Sequence, residues 1–188
     1  LKRKYKKPLL VTVYGEDITR LSKEMFSAPL IKSSLNESDA IICQSEFLRR
    51  EIEGIGLINK KFFIIPMGAE TGSFKPRDKH KARELLGLPK DKKIVLFVGH
   101  LVPRKGVEYL IRSMKIALGK DNSIFCCIVG TDHMKGYLQR LASGLGLDKS
   151  IIFTGQKIQE EVSHYMNACD ILVLPSLNEG LPVVLCEA

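Results

Sequence analysis

No apolar run in this 188-residue chain approaches the roughly 18 residues that a membrane-spanning helix needs, so no crossing segment is expected. Nor is a signal peptide expected at the start of the chain. No Gly-x-Gly-x-x-Gly opens a helix, which counts against a dinucleotide-dependent oxidoreductase. The five cysteines (Cys43, Cys126, Cys127, Cys169 and Cys186) lack zinc-ligand spacing and sit among apolar or small residues. Reduced thiols in the cytoplasm are the simpler expectation. Cys126 and Cys127, adjacent on an expected strand, should face opposite sides of a sheet.

Apolar residues make up 45% of the chain and charged ones 27%, the balance of a globular protein with one full core or parts of two. Lys and Arg total 29 against 21 for Asp and Glu, a net charge of +8. The densest basic run is Leu1-Lys2-Arg3-Lys4-Tyr5-Lys6-Lys7. A solvated segment is the plain alternative, against peripheral association with an anionic membrane or contact with an acidic substrate. No aromatic-interleaved basic patch or recognition helix accompanies the charge, so no nucleic-acid partner is expected. The chain starts at Leu1 without methionine and stops at Ala188 inside an expected helix, so a fragment is expected.

Taken in order, Leu9–Tyr14 is a β-branched strand ended by Gly15, and helical patches follow, broken near Pro29. Ala40–Gln44 is a second strand, Ser45 an N-cap for a helix to Gly54, and Phe62–Ile65 a third strand stopped by Pro66. Residues 67–92 are expected to be a linker with a short helix at Lys81–Leu86. Strands then alternate with helices: Lys93–Gly99, helix Val107–Leu118, Ile124–Gly130, helix Met134–Leu145, Ile151–Thr154, helix Glu160–Ala168, Ile171–Leu174. This order demands a parallel sheet with right-handed crossovers. Ligands then bind beyond the carboxyl ends of the strands.

Informative residues follow those ends. After Val98 comes Gly99-His100-Leu101-Val102-Pro103-Arg104-Lys105-Gly106, whose Arg104 and Lys105 are either phosphate ligands or solvated loop charges. After Val129 comes Gly130-Thr131-Asp132, and after Phe153 comes Thr154-Gly155-Gln156-Lys157. The last strand leads through Pro175-Ser176 into Asn178-Glu179-Gly180-Leu181-Pro182-Val183, and a helix start there could hold an anion. Glu179 and Glu187 stand eight steps apart, about 12 Å if fully helical, too far to act together on one bond but suited to gripping a long ligand at two points.

These motifs, with Ala168-Cys169-Asp170, Tyr14-Gly15-Glu16-Asp17, Ser38-Asp39-Ala40 and Ile65-Pro66-Met67-Gly68, resemble the family 4 (group 1) retaining glycosyltransferases. The resemblance implies an α/β protein of GT-B type with two Rossmann-like parallel-sheet domains, both incomplete. Residues 1–66 would end the acceptor-side domain, and 93–188 would form the nucleotide-sugar domain. It further implies a transferase that needs no metal or cofactor. That enzyme moves a sugar from a nucleotide-sugar to a sugar, lipid-linked or small-molecule acceptor, on the cytoplasmic side.

By the same resemblance, Glu187 holds the ribose hydroxyls and Glu179 the donor sugar. Gly99, Gly155, Gln156, Lys157, Gly180, Leu181, Pro182 and Val183 line the donor. Lys105, with Arg104 or His100, neutralises the departing diphosphate. Tyr14, Gly15 and Asp17 lie toward the acceptor. Two positions depart from the pattern: His100 stands where the family has Arg, and Tyr14 where it often has His. An imidazole offers no guanidinium fork. A non-catalytic nucleotide-sugar-binding relative is therefore a rival.

Overall fold

The computed structural model describes residues 6–188, except for the side chains of Glu16 and Lys23. Most of the predicted basic run, residues 1–5, lies outside the described residues. The fold is mixed α/β with two all-parallel sheets, as the strand and helix order required. Contacts group the chain into two compact units. One comprises residues up to Gly68 with Asn178–Val183, the other Ala69–Leu177 with Val184–Ala188.

In the first unit, β1 (Leu10–Val13), β2 (Ala40–Cys43) and β3 (Phe62–Ile64) lie side by side in that order. The helices are α1 (Glu16–Thr19), α2 (Ser27–Glu37) and α3 (Glu46–Gly54). Val13, Ile41 and Cys43 of the sheet bury against Ile18, Leu35, Leu48 and Ile52 of the helices. Leu48 and Ile52 are spaced i, i+4 and fully buried, each contributing about 1.5–3 kcal/mol. Ser45 caps α3 as expected, its hydroxyl accepting from Leu48 N–H at 3.3 Å. The expected break at Pro29 does not occur. Pro29 occupies the third position of α2, where its missing N–H has no helical partner to lose.

In the second unit the strands are β4 (Lys93–Val98), β5 (Ile124–Val129), β6 (Ile151–Gly155) and β7 (Ile171–Leu172), ordered β6-β5-β4-β7. α4 (Lys79–Leu85) precedes them, and α5 (Val107–Leu118), α6 (Tyr137–Gly144) and α7 (Gln159–Ala168) connect them. Last comes α8 (Val183–Glu187). The pleat sends alternate side chains to two cores. Phe97, Cys126 and Ile128 pack with Leu110, Ile111 and Leu138, whereas Ile94, Leu96, Cys127 and Val129 pack with Ala82, Tyr165 and Ala168. The two adjacent cysteines face opposite sides, as period-two geometry requires. Burial pushes the Cys127 thiol up to about 12 and Cys43 up to about 11.

Residues 69–92 pack as part of the second unit rather than standing apart as a linker. The Asn167 amide donates to Lys75 O at 3.1 Å and accepts from Arg77 N–H, and Ser163 donates to Ser73 O at 2.7 Å. Arg83 of α4 is buried, donating to the Ala168, Lys90 and Lys92 carbonyls and to Asp170 at 2.7 Å. α6 starts three residues later than expected. The Asp132 carboxylate takes the Met134 and Gly136 N–H groups and holds them in a turn. Only Val183–Glu187 of the Glu179–Glu187 span is helical, so the 12 Å rise expected for a full helix does not apply.

Candidate functional site

Because β4 to β7 are parallel, their following loops gather at one edge of the second unit's sheet. β4 and β5 stay zipped beyond their ends. Gly99 N–H donates to Val129 O at 2.9 Å, Leu101 N–H to Thr131 O at 2.8 Å, and His133 N–H to Leu101 O at 3.2 Å. The backbones nearly touch here. A Cβ on Gly130, at φ +149°, would lie 1.9 Å from Gly99 O, so only glycine allows the approach. Above this floor is a cavity of about 210 Å³ lined by Gly99, His100, Thr131, Gln156, Lys157 and Val162. Its volume is below the roughly 300 Å³ of a pocket for a whole drug-sized ligand, so it suits one part of a longer molecule.

Four of the predicted donor-side residues, Gly99, His100, Gln156 and Lys157, therefore share one cleft. Gln156 is oriented from the neighbouring loop, its amide oxygen accepting from the Thr131 hydroxyl at 3.1 Å. Lys157 pairs with Glu161 in the first turn of α7 at 3.1 Å, and that bond holds its ammonium pKa above the ordinary value. Gly155 closes β6 at φ +72° and hydrogen-bonds Gly130 N–H through its carbonyl at 2.9 Å.

Arg104 and Lys105 lie in a short 3-10 turn, Pro103–Lys105, between β4 and α5. The turn is fastened from behind. Arg104 O accepts from Leu177 N–H at 2.9 Å, and Gly106 packs on Pro175 O. The Lys105 stem runs beside Gly99, its Cε about 4.0 Å from where a Gly99 Cβ would stand. Phe97 Cζ approaches the same position at 3.4 Å, so the Lys105 stem lies on the Phe97 face of the sheet and is not among the residues lining the cleft. Ser176, in the same returning loop, has a buried hydroxyl with no hydrogen-bond partner among the described residues.

Glu187 does not line that cleft. It borders a second cavity of about 310 Å³ with Phe74, Lys75, Ser163, Met166 and Asn167. Partial burial there pushes its carboxyl above the usual carboxylate range.

The remaining predicted residues fall in the first unit. Asp17 accepts from Gly15 N–H at 2.8 Å, Ile18 N–H at 3.1 Å and Tyr14 N–H at 3.3 Å, so its carboxylate closes the start of α1. Tyr14 is 62% exposed. Gly180 sits against this turn, where an added Cβ would lie 2.7 Å from Tyr14 O and 2.9 Å from the Gly15 Cα. Ser45 donates to Gly180 O at 2.8 Å, which joins the capping residue of α3 to the Glu179–Val183 segment. Glu179, Leu181, Pro182 and Val183 are all partly buried.

Sequence reasoning missed the second role of Ser45 and the place of His133. The only local signal for Ser45 was its N-cap position. His133 had none. Its Nε2 lies 3.3 Å from His100 Nδ1, the rings edge-on with centroids 5.2 Å apart. Among the described residues no group of three or more His, Cys, Asp or Glu side chains could hold a metal ion.

The profile of the family described as "Glycosyl transferases group 1" matches residues 78–188, the part that carries the cleft, Lys105 and both glutamates. The chain belongs to the group 1 glycosyltransferases. A Bacillus subtilis (strain 168) protein, named as a candidate glycosyltransferase of teichuronic acid biosynthesis (TuaC), is 28% identical over 186 residues. That match takes in 96% of this chain and 44% of the relative, so the chain spans less than half of that protein's length. Sucrose-phosphate synthase from Thermosynechococcus elongatus superposes with a TM-score of 0.86 at 23% identity, over 99% of this chain and 49% of that one. Anabaena HepE, solved in complex with UDP and glucose, superposes with a TM-score of 0.85 at 19% identity, over 99% of this chain and 51% of that one. At these identities the two structures show a shared fold. It is the GT-B architecture expected from the motifs.

Proposed function

We propose that the full-length protein transfers a sugar from a nucleoside diphosphate sugar to an acceptor hydroxyl, with retention of configuration and without an obligatory metal. The observation that carries this reading is the cleft formed by Gly99, His100, Gln156 and Lys157 beyond the ends of β4, β5 and β6. A cleft of that size takes one part of a donor. The departing diphosphate then meets the Lys105 ammonium, assisted by Arg104 and His100. At about 4 Å and an effective dielectric constant near 20, one such charge pair is worth about 4 kcal/mol. The interaction strengthens as charge moves onto the leaving group, so it accelerates the chemical step rather than only tightening binding. HepE's complex with UDP and glucose supports a nucleotide of this kind.

Glu187 would hold ribose hydroxyls and Glu179 donor-sugar hydroxyls, as the family resemblance implies. The domain assignment follows the same reading, with residues 1–66 on the acceptor side. The acceptor would be a sugar or lipid-linked hydroxyl used in cell-surface polysaccharide or glycolipid synthesis. Among the described residues no helix is long and apolar enough to cross a membrane. A cytoplasmic protein held peripherally at an anionic membrane by its excess of basic residues is the proposed setting. The exposed Tyr14 and the paired His100 favour one rival, a nucleotide-sugar-binding protein without transfer activity.

The test is a calorimetric screen of the full-length protein against UDP, GDP and ADP sugars, followed by turnover with the tightest donor. The Lys105→Ala variant should bind the donor within a few-fold of wild type and turn over about 10²–10³-fold more slowly. Unchanged turnover would remove Lys105 from the mechanism. A wild-type protein that binds a donor but neither transfers nor hydrolyses it would establish the rival.

A further inference from the structure

Where the family pattern has Arg, this chain has His100, and the structure supplies His100 with a partner on the next loop. Continued pairing beyond β4 and β5 sets Leu101 opposite Asp132, and the flanking residues His100 and His133 then meet, Nδ1 to Nε2 at 3.3 Å. An imidazole–imidazole hydrogen bond needs one N–H and one lone pair. If His133 Nε2–H donates, His100 must carry its own proton on Nε2, which is then a donor. If His100 Nδ1–H donates, its Nε2 becomes a lone pair and repels an anion. His100 lines the cleft and His133 does not, so the tautomer matters only through His100.

We infer that His133 is a positioning residue, donating Nε2–H to His100 Nδ1 so that His100 presents Nε2–H to an anionic oxygen of the bound nucleotide. This rests on the proposed nucleotide-sugar reading. The surroundings favour that polarity. The Asp132 carboxylate adjoins His133, and its field favours donation from the His133 ring. On the His100 side, Lys157 in the cleft wall is cationic, and Arg104 and Lys105 follow in the next turn of the same loop. They favour an anion in the cleft and an N–H of His100 turned toward it. Lys135, two residues beyond His133, adds a further positive charge to the same edge. The pair thus does in two residues part of what one guanidinium does elsewhere: a donor of fixed direction. A two-residue device of this kind leaves no trace in either residue's local sequence.

The experiment measures UDP affinity by calorimetry in the full-length wild type and in His133→Ala, His133→Gln, His100→Arg and the His100→Arg/His133→Ala double variant. Long-range ¹H–¹⁵N spectra of the imidazoles accompany it. His133→Ala should weaken UDP about fivefold to tenfold, and His133→Gln, which keeps an N–H donor, should recover most of that loss. In the His100→Arg background, His133→Ala should change affinity less than twofold, because the guanidinium needs no tautomer set for it. The spectra should show His100 as the Nε2–H form in the wild type. Equal affinity of His133→Ala and wild type overturns the inference, as does an Nδ1–H form of His100. So does a His133 effect abolished by a chelator, which would mean a metal bridge in place of a proton. Failure of the wild type to bind any nucleoside diphosphate would instead defeat the reading on which the inference rests, and the spectra would still report the tautomer.

Discussion

Replacing Arg83 with Met tests whether α4 and the segment around it belong structurally to the second unit. The guanidinium is 4% exposed and makes four hydrogen bonds, three to carbonyls and one to Asp170. Met fills much the same volume but strands those acceptors. Removing one partner of a buried pair costs about 3–5 kcal/mol. Asp170 keeps the Lys79 ammonium at 2.8 Å and Ile94 N–H at 2.6 Å, and its side chain is about a third exposed, so solvent screening points to the lower end. A loss of about 3 kcal/mol is expected, a fall of about 10 °C in the melting temperature of a unit this size. Arg83→Lys should recover only about 1 kcal/mol, because one ammonium cannot reach four acceptors spread over two loops.

The pH dependence adds a second check. Partial burial raises the Asp170 pKa, but hydrogen bonds from Lys79 and Ile94 and the charge of Arg83 outweigh it, leaving it below the ordinary value. Its contribution is therefore present above the unfolded carboxylate's value, about 3.9, and is lost as pH falls through the lower folded value. The gap between wild type and Arg83→Met, followed by scanning calorimetry, should narrow in that acid range. A loss below about 1 kcal/mol at neutral pH, or a Lys variant as stable as Arg, would refute the keystone role.

Glu187→Gln should weaken nucleotide-sugar binding about tenfold if the carboxylate grips ribose hydroxyls; unchanged calorimetric affinity removes that assignment. Burial holds the Glu187 pKa above its unfolded value, so the folded state loses stability as pH rises through that interval. Glu187→Gln lacks this penalty and should be at least as stable as wild type at neutral pH. A less stable variant would show that the carboxylate is held by partners rather than merely buried. Gly130→Ala should cost more than the roughly 1–3 kcal/mol of backbone strain alone, because its methyl group would lie 1.9 Å from Gly99 O and part β4 from β5. A soluble Gly130→Ala protein that melts within 3 °C of wild type and binds UDP normally would contradict the close approach.

The alternation of apolar strands and amphipathic helices was enough to place the parallel sheets, because periods of 2 and 3.6 are local properties. The opposed faces of Cys126 and Cys127 and the cap at Ser45 follow from the same short-range rules. So does the gathering of Gly99, Gln156 and Lys157 at one edge, since parallel strands leave no other place for their loops. Tertiary structure alone decided the partners that lie far apart in the chain. A basic residue in a polar stretch became the buried Arg83 because acceptors arrive from Ala168 and Asp170, more than 80 positions away. Gly180 settled against Tyr14 and Ser45 through contacts that no periodicity announces. His100 acquired His133, 33 positions on, because pairing of β4 and β5 runs past the strand ends. Local propensity acts within a few residues, whereas these side chains answer to whichever backbone the fold brings beside them.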